Sequence, residues 1–321
     1  MYHILIPDNL DKAGLNMLSA APEVTVQAAA KMSRDEVLSA IPNAQALIIR
    51  SATTVDRAML EAAPHLKVVG RAGVGVDNVD LKAATDRGVI VMNAPDGNTN
   101  ATAELAFGLM LALARHIPAA SGLMHVGKWE KKAFMGVELK GKTLGLVGFG
   151  RVGKAVAKRA LAFEMSVIAY DPFMPADAGA EMGVPLVSLD ELYARADFIS
   201  LHAVGTGDNK GMIGAEAFAK MKKGVRIIND SRGSLINEAA LAEALKSGQV
   251  AGAALDVFNH EPLEEGNPLV GLPNAILTPH LGASTVEAQD AVAVQIVENV
   301  LGALFRGEYR NVVNPDVLKK G

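Results

Sequence analysis

The sequence predicts an α/β protein with two doubly wound domains, each built on a parallel sheet. Short β-branched runs alternate with alanine-rich helical stretches along the chain. Strands separated by helical crossovers form parallel sheets that are covered on both faces. The alternation starts again near Thr143, which predicts a second sheet. Half of the 321 residues are hydrophobic but only 4% are aromatic, a composition suited to helices that pack closely on a sheet.

The first sheet is predicted from five short apolar runs bounded by polar or turn residues. A helix is expected to begin after Ser33, because Ser33 and Glu36 have the spacing of a capping box. The expected strands are residues 3–7, 24–27, 46–50, 67–71 and 89–93.

The second sheet is predicted from six further runs, with helices between most of them. A chain that builds two such sheets is expected to resemble the Rossmann and flavodoxin folds. The runs are TLGLVG, SVIAY, FISLH, VRIIND, GAALDVF and AILTPH.

Two long helical patterns, one from Thr99 and one from Ser284, join the two runs of strands. After the second helix the tail NVVNPDVL is expected to return to the first domain. We therefore expect a discontinuous first domain of residues 1–98 plus 286–321 and a second domain of residues 99–285, with a cleft between them.

Composition and charge exclude several classes of protein. The net charge is −4 with both signs mixed throughout, so no basic nucleic-acid-binding face is expected. No apolar stretch approaches the roughly 20 residues of a membrane span, and no signal peptide is recognised. The absence of cysteine excludes disulfides and thiolate chemistry and fits a cytoplasmic protein. No metal site is expected.

A glycine-rich motif between an apolar strand and a helix predicts a dinucleotide site. In TLGLVGFGRVGKAVAKRA, Gly148 allows the tight turn, Gly150 lets the backbone approach a pyrophosphate, and Gly153 lets the helix pack on the strand. Asp171 ends the next strand about 20 residues later, where a carboxylate binds a ribose 2′-hydroxyl and repels a 2′-phosphate. The motif therefore favours NAD over NADP. An ordinary glycine turn with a surface aspartate is the alternative.

Three charged residues lie at strand ends or in the turns that follow. Arg232 follows VRIIND, Glu261 follows GAALDVF, and His280 closes AILTPH, with Pro279 and Gly282 expected to set the backbone of its turn. Ligands of open α/β sheets lie outside the carboxyl ends of the strands, so these side chains could share one site. A histidine can accept a hydroxyl proton, a carboxylate can orient the imidazole, and a guanidinium can bind an α-carboxylate. Each residue alone is more often structural or solvated.

Two further arginines bear on the substrate. Arg50 ends ALIIR and Arg71 ends KVVGR, and the AGVGV that follows could form an anion nest from its N–H groups. This is more positive charge than a small monoanionic acid requires, and it suits a phosphate. The alternative is that the arginines pair with local acids such as Asp56 or Asp77.

Several motifs together resemble the D-2-hydroxyacid dehydrogenase family, and the resemblance covers essentially the whole chain. It is carried by GFGRVG, YDP, NDSRGSLINEAAL, GAALDVFNHEPL and TPHLGAST. RSATTVD, GRAGVGVDNVDLKAAT and NAPDGNT are similar to the branch of the family that oxidises 3-phosphoglycerate to 3-phosphohydroxypyruvate, the first step of L-serine biosynthesis. The resemblance implies NAD as cofactor, the discontinuous two-domain layout, and a homodimer or homotetramer formed through the NAD-binding domain.

The resemblance also implies roles for particular residues. The catalytic histidine falls on His280, its carboxylate partner on Glu261, and the substrate-binding arginine on Arg232. Asp256 falls near the nicotinamide amide, and Lys131 is implied to reach phosphate from a neighbouring subunit. The other implied cofactor-binding residues are Gly148, Gly150, Arg151, Val152, Gly153, Asp171, Ala203, Asn209, Ser231 and Gly282. The other implied substrate-binding residues are Arg50, Arg71, Val74, Gly75 and Asn98.

The chain departs from the family pattern in a few places. Ala203 and Val204 stand where relatives usually have threonine and proline, and Lys131 where arginine is more frequent. Asp230 and Ser231 replace residues that are commonly smaller or apolar. Many relatives acting on 3-phosphoglycerate carry a C-terminal regulatory domain that binds serine. This chain ends at NVVNPDVLKKG, so feedback through such a domain is not expected.

Two alternatives to oxidation of 3-phosphoglycerate remain open from the sequence. A reductase for glyoxylate, hydroxypyruvate or another D-2-hydroxy acid would share the catalytic residues and differ only in its anion pocket. A dinucleotide-sensing binding protein built on the same fold could also retain them.

Overall fold

The alternation of strands and helices produces two parallel sheets, as predicted, in a computed structural model that describes residues 1–319. The chain separates into two units, one of residues 1–98 together with the segment from Ala283 onwards, and one of residues 99–282. The sequence placed the second boundary between residues 285 and 286. Residues 320 and 321, which the expected first domain includes, lie outside the described residues.

The bounds of the elements follow the predicted runs to within a residue or two in most strands. In chain order they are β1 (Tyr2–Ile6), α1 (Lys12–Ser19), β2 (Val24–Ala28), α2 (Arg34–Ala40), β3 (Ala46–Ile49), α3 (Arg57–Glu61), β4 (Val68–Arg71), α4 (Leu81–Asp86), β5 (Ile90–Asn93), α5 (Thr99–Ala114), α6 (Ile117–His125), β6 (Thr143–Val147), α7 (Arg151–Ala162), β7 (Ser166–Tyr170), α8 (Leu189–Arg195), β8 (Phe198–Leu201), α9 (Ala215–Lys220), β9 (Val225–Asn229), α10 (Glu238–Ser247), β10 (Val250–Leu255), β11 (Ala275–Leu277) and α11 (Val286–Arg306). Short 3-10 turns lie at Ile41–Asn43, Lys131–Phe134, Ala180–Met182, Gly207–Asn209, Gly233–Leu235 and Pro315–Lys319.

The first unit is a five-stranded sheet in the order β2-β1-β3-β4-β5, with each neighbouring pair parallel. Apolar side chains fill both faces, one against α1 and α11 and the other against α2, α3 and α4. Local signals fix several helix starts. Ser33 and Glu36 form the expected capping box, and Thr285 caps α11 by accepting a hydrogen bond from the N–H of Ala288.

The second unit is a six-stranded sheet in the order β11-β10-β9-β8-β6-β7, again with parallel neighbours. One face packs on α5 and α7, and the other on α8, α9 and α10. After β6 the chain adds β7 on one side and β8 on the other, so the strand order reverses beside β6. In doubly wound sheets this reversal creates a crevice at the carboxyl ends of the strands, where ligands bind.

The prediction of one long helix from Thr99 is wrong. It is broken into α5 and α6, which meet at an angle of 66°. His116 at the break has a left-handed backbone with φ 54°, and Pro118 is among the first residues of α6. Proline has no N–H to continue the helical hydrogen bonds, and its ring clashes with the preceding turn. Among residues 1–319 no single helix is long and apolar enough to cross a membrane, although this bent pair would reach that length and composition together.

Candidate active site

The glycine-rich turn follows β6, where the strand order of the second sheet reverses. Gly148 has φ 98°, and a Cβ added to it would lie 2.6 Å from the His202 carbonyl carbon. A Cβ on Gly153 would lie 2.3 Å from the Gly148 oxygen, whereas a Cβ on Gly150 would have none of the surrounding atoms within 4 Å. Gly150 is also the N-cap of α7. The turn thus leaves open space at a helix N-terminus, which suits the pyrophosphate of a dinucleotide.

Asp171 follows β7 directly and is tied to the glycine turn. Its two carboxylate oxygens accept hydrogen bonds from the N–H of Phe149 at 2.9 Å and of Phe173 at 3.0 Å. Arg151, the first residue of α7, is exposed, and Val152 packs partly against the core. A half-buried carboxylate beside the turn has remaining lone pairs for ribose hydroxyls.

The loop after β8 contains Ala203, which is half-buried against the core, and Asn209. The Asn209 side chain accepts a hydrogen bond from the N–H of Thr206 at 2.7 Å and donates one to the Val204 oxygen at 2.8 Å. Both hydrogen bonds of the Asn209 amide are therefore made within its own loop.

The segment that carries Arg232 is held by Asn229, a fully buried residue at the end of β9. The Asn229 Oδ1 accepts hydrogen bonds from the N–H and the hydroxyl of Ser231, and its Nδ2 donates to the Arg232 oxygen at 2.9 Å. A Cβ on Gly233 would lie 2.0 Å from the Phe258 carbonyl carbon, so only glycine fits after Arg232. Sequence reasoning missed Asn229, although its place as the last residue of a strand was the available signal.

Asp256 is fully buried after β10 and organises the turn that carries His280. Its Oδ1 accepts hydrogen bonds from the Thr278 hydroxyl at 2.6 Å and the Leu281 N–H at 2.8 Å, and its Oδ2 accepts from the Gly282 N–H at 2.9 Å. Its backbone oxygen accepts from the His280 N–H at 2.9 Å. The turn therefore depends on a residue from the neighbouring strand as well as on its own Pro279 and Gly282.

His280 itself has a left-handed backbone with φ 57°, which is uncommon for a residue other than glycine and costs free energy. Its Nδ1 lies 2.7 Å from the Glu261 Oε2, while the Glu261 Oε1 accepts a hydrogen bond from the Phe258 N–H at 3.0 Å. The His280 side chain is 52% exposed. Because Nδ1 is engaged, Nε2 is the ring nitrogen left for proton exchange with a bound molecule.

The charges around this pair stabilise the protonated imidazole. The hydrogen bond that His280 donates to the Glu261 carboxylate raises the pKa of His280 despite partial burial and the nearby Arg232 guanidinium, which both oppose protonation. Burial favours the neutral acid of Glu261, but the hydrogen bonds from His280 and the Phe258 N–H outweigh it and lower the pKa of Glu261. The pair can therefore take up a proton and hold it as an imidazolium beside a carboxylate.

The residues implied to bind substrate in the first unit lie near the ends of neighbouring strands. Arg50 follows β3; its N–H donates to the Asp8 carboxylate at 2.6 Å, and its guanidinium donates to the Asn9 oxygen at 3.3 Å. Arg71 ends β4, and its guanidinium donates to the Ala72 oxygen and lies over Gly73, where a Cβ would be 1.4 Å from Nη1.

The structure also describes one alternative partner of the two arginines and the other residues implied to bind substrate. Asp56, which sequence reasoning offered as a partner for these arginines, pairs instead with Arg34 at 2.7 Å. Val74 is exposed and accepts a hydrogen bond from Asn93 through its oxygen. Gly75 follows it and is half-buried. The Asn98 Oδ1 is shielded from solvent and has no hydrogen-bond partner among residues 1–319. Lys131, in the second unit, is exposed at the start of a 3-10 turn.

Comparison with known proteins identifies the family to which the chain belongs. Residues 107–282 match the family described as D-isomer specific 2-hydroxyacid dehydrogenase, NAD binding domain. The chain therefore belongs to the D-isomer specific 2-hydroxyacid dehydrogenase family. The D-3-phosphoglycerate dehydrogenase of Archaeoglobus fulgidus is 50% identical over 88% of this chain and 54% of its own length.

Solved structures share the fold over nearly the whole chain. The TT0316 protein of Thermus thermophilus is 36% identical with a TM-score of 0.88, covering 97% of this chain and 99% of that one. A glyoxylate reductase from Paecilomyes thermophila is 32% identical with a TM-score of 0.88, covering 97% of this chain and 98% of that one. The chain spans only 54% to 60% of the length of three D-3-phosphoglycerate dehydrogenases that it matches.

Proposed function

We propose that the protein is an NAD-dependent dehydrogenase that oxidises 3-phosphoglycerate to 3-phosphohydroxypyruvate, the first step of L-serine biosynthesis. The observation that carries the dehydrogenase chemistry is the 2.7 Å contact between His280 Nδ1 and Glu261 Oε2, which leaves Nε2 as the ring nitrogen available for proton exchange. The choice of substrate is supported by eight sequence relatives, 46% to 50% identical, that bear the name D-3-phosphoglycerate dehydrogenase.

In this proposal the residues of the second unit divide the work of the reaction. Nicotinamide, when bound, takes up the hydride that leaves C2 of the hydroxy acid. His280 accepts the proton of the C2 hydroxyl at Nε2, and Glu261 stabilises the imidazolium that results. Arg232 binds the carboxylate next to C2, where a planar guanidinium can donate two parallel hydrogen bonds and polarise the reacting carbon. In the reverse direction His280 returns the same proton.

The cofactor-binding residues of the proposal are those of the glycine turn together with Asp171. The open position above Gly150 and the N-terminus of α7 suit a pyrophosphate. Asp171, held by the Phe149 N–H, suits the ribose and disfavours a 2′-phosphate, so NAD is proposed over NADP. The family role of Asp256 near the nicotinamide amide is retained as a proposal, as are contacts from Ala203, Asn209 and Ser231.

The second anionic group of the substrate is assigned to Arg50 and Arg71. The assignment is supported by their backbone positions, since Ile49 pairs with Arg71 and Arg50 follows Ile49, so both residues lie at the carboxyl end of neighbouring strands. The N–H groups of Val74 and Gly75 and the unpaired Oδ1 of Asn98 are offered as further contacts for the same substrate.

A homodimer or homotetramer through the NAD-binding domain is part of the proposal. No residue of α6 is buried, and Ile117, Met124, Trp129 and Met135 are all more than half exposed. Large apolar side chains grouped on a surface commonly mark an interface. In such an assembly Lys131 would reach the phosphate bound by the neighbouring subunit. A light-scattering mass of a single 33.5 kDa chain would remove this part of the proposal. A cytoplasmic location is proposed with it.

The experiment that tests the proposed substrate follows NADH absorbance with 3-phosphohydroxypyruvate, hydroxypyruvate and glyoxylate. A strong preference for the phosphorylated acid is expected. Arg71→Ala or Arg50→Ala should lower kcat/KM for the phosphorylated acid by roughly 10²-fold and change the other two little, because a charge-assisted contact to phosphate is lost. Arg57→Ala, which removes a surface ion pair with Asp86, is the control.

A second candidate is a reductase for glyoxylate or hydroxypyruvate, favoured by the similarity to a glyoxylate reductase at 32% identity. It would share His280, Glu261 and Arg232. Comparable or faster turnover of the unphosphorylated acids in the same experiment would replace the proposed substrate with this one and leave the catalytic residues unchanged.

Replacing Glu261 by glutamine is expected to move the pH profile of oxidation to lower pH. The amide removes the interaction that raises the pKa of His280, so the neutral imidazole that acts as base is present at lower pH. The maximal rate is expected to fall by about tenfold or more, since a hydrogen bond to a charged group contributes about 1.5–3 kcal/mol. Initial rates across the pH range measure both effects. Glu264→Gln, an exposed change in the same loop, is the control, and a profile like that of the unmodified protein would refute the pairing.

A further inference from the structure

Three titratable side chains lie side by side where three neighbouring strands end. His202, Asp230 and Asp256 are the first residues after β8, β9 and β10, and the last residues of these strands are paired through Asn229. The side chains of His202 and Asp230 are 1% and 0% exposed, and Asp256 is fully buried. The proposed chemistry gives no role to His202 or Asp230, although both lie at the edge of the sheet where the cofactor site is proposed.

His202 is in direct contact with the glycine turn. Its N–H donates to the Val147 oxygen at 2.7 Å. A Cβ on Gly148 would lie 2.6 Å from its carbonyl carbon, and a Cβ on Gly153 would lie 3.9 Å from its own Cβ. A change of charge at His202 or its partner is therefore a change of charge directly behind the proposed pyrophosphate site.

His202 and Asp230 form a buried pair whose polar atoms have few hydrogen bonds. His202 Nδ1 lies 3.5 Å from Asp230 Oδ1, longer than an ordinary hydrogen bond. Neither this nitrogen nor either Asp230 oxygen has a hydrogen-bond partner among residues 1–319. The other ring nitrogen, Nε2, lies 2.9 Å from the Ser200 hydroxyl. Unsatisfied buried groups at the edge of a functional site call for an explanation beyond stability.

The 3.5 Å distance alone would allow an ion pair between His202 and Asp230, but their surroundings favour the neutral form of both side chains. A buried charge without hydrogen bonds costs several kcal/mol or more. Burial and the negative charge of Asp256 raise the pKa of Asp230 well above its usual value, and burial lowers the pKa of His202 to about 3. Asp256, by contrast, has three hydrogen bonds to its carboxylate, from the Thr278 hydroxyl and from the N–H groups of Leu281 and Gly282.

One arrangement of protons pairs both ring nitrogens of His202 and one carboxyl oxygen of Asp230. A proton on Asp230 points at His202 Nδ1, and the proton on Nε2 points at the Ser200 hydroxyl. This arrangement needs only a small closing movement of the 3.5 Å separation. The side chains of His202, Asp230 and Asp256 then carry a single negative charge, that of Asp256, and no charge lies directly behind the glycine turn.

We propose that Asp230 is a buried carboxylic acid at neutral pH, held against His202, and that loss of its proton at alkaline pH weakens dinucleotide binding at the adjacent glycine turn. The physical reason is repulsion between the new carboxylate and the two negative charges of the pyrophosphate in a poorly solvated region. The groups that face Asp230 are His202 from the end of β8 and Asp256 from the end of β10, with Arg232 two positions further along its own segment. The inference rests on the proposed cofactor site.

The test is the dissociation constant of NADH, measured without substrate by fluorescence titration from pH 6 to pH 10. The unmodified protein is expected to bind NADH less tightly as the pH rises in the alkaline range, by up to about tenfold per pH unit, the limit for one linked proton. Asp230→Asn keeps the shape and a permanent neutral donor, so its dissociation constant should stay flat. Asp190→Asn, which removes an exposed carboxylate paired with Lys220, should behave like the unmodified protein.

The outcomes separate this inference from the proposal on which it rests. Tight NADH binding by both proteins at pH 6 with the same profile up to pH 10 would overturn the role of Asp230 and leave the cofactor site in place. Failure of the unmodified protein to bind NADH at any pH would overturn the cofactor site and the inference together. A carboxyl 13C signal, assigned by its loss in Asp230→Asn, should show the protonated acid at pH 7; an ionised carboxylate there would also refute the inference.

Discussion

Replacing His280 by asparagine is expected to lower turnover by about 10²–10⁴-fold, the usual contribution of a positioned general base. Asparagine tolerates the left-handed backbone at φ 57°, so the turn held by Asp256 should keep its shape. The amide cannot accept the hydroxyl proton at neutral pH. The affinity for NADH should therefore stay close to that of the unmodified protein while the rate of oxidation collapses.

The chain offers a close control for this change. His116 also has a left-handed backbone, with φ 54°, at the break between α5 and α6. His116→Asn makes the same chemical change in the same backbone conformation and should leave turnover nearly as it is. Retained turnover in His280→Asn would exclude His280 as the base, and loss of NADH binding in that variant would show that the residue shapes the cofactor site.

Replacing Arg232 by lysine is expected to lower kcat/KM by roughly 10²-fold, because a point charge cannot replace two parallel hydrogen bonds to a carboxylate. The backbone of Arg232 is held independently by Asn229, and Gly233 is fixed by its close approach to Phe258. The fold of the segment should survive the change, and the loss should appear mainly with substrate rather than in NADH binding.

Thermal unfolding and steady-state rates together check this expectation. Arg195→Lys makes the same substitution in an exposed ion pair with Glu191 on α8 and serves as the control. An Arg232→Lys protein with an unchanged melting temperature and an unchanged kcat/KM would remove Arg232 from the substrate site. A fall in both would mean that the guanidinium mainly stabilises the segment.

Much of the fold was open to prediction because its signals are local. The strands were recognised from short apolar runs, and the start of one helix from Ser33, which caps its own first turn. The other long helical pattern was expected from Ser284, and the structure shows Thr285 as its cap. The break after α5 was missed although Pro118 carried its signal, because the apolar period continues across it. Charged residues at strand ends were singled out from the sequence, and the structure brings two of them, His280 and Glu261, to 2.7 Å.

The partners of those residues were much less predictable. Nothing near Asp256 in the sequence shows that its carboxylate accepts hydrogen bonds from Thr278, Leu281 and Gly282. Asn209 was expected to contact cofactor, but its amide already bonds within its own loop. Arg50 was weighed against Asp56 as an ion partner, yet Asp56 pairs with Arg34.

The sequence by itself determined the class of fold, the glycine turn and the identities of the groups able to carry acid–base chemistry, since these depend on residues close together in the chain. The tertiary structure alone decided which side chains meet. His280 and Glu261 are 19 residues apart and come together at 2.7 Å, and the buried pair of His202 and Asp230 comes from two neighbouring strands. Strand order brings such residues together, and burial and hydrogen bonding where they meet shift the pKa of each group from its usual value.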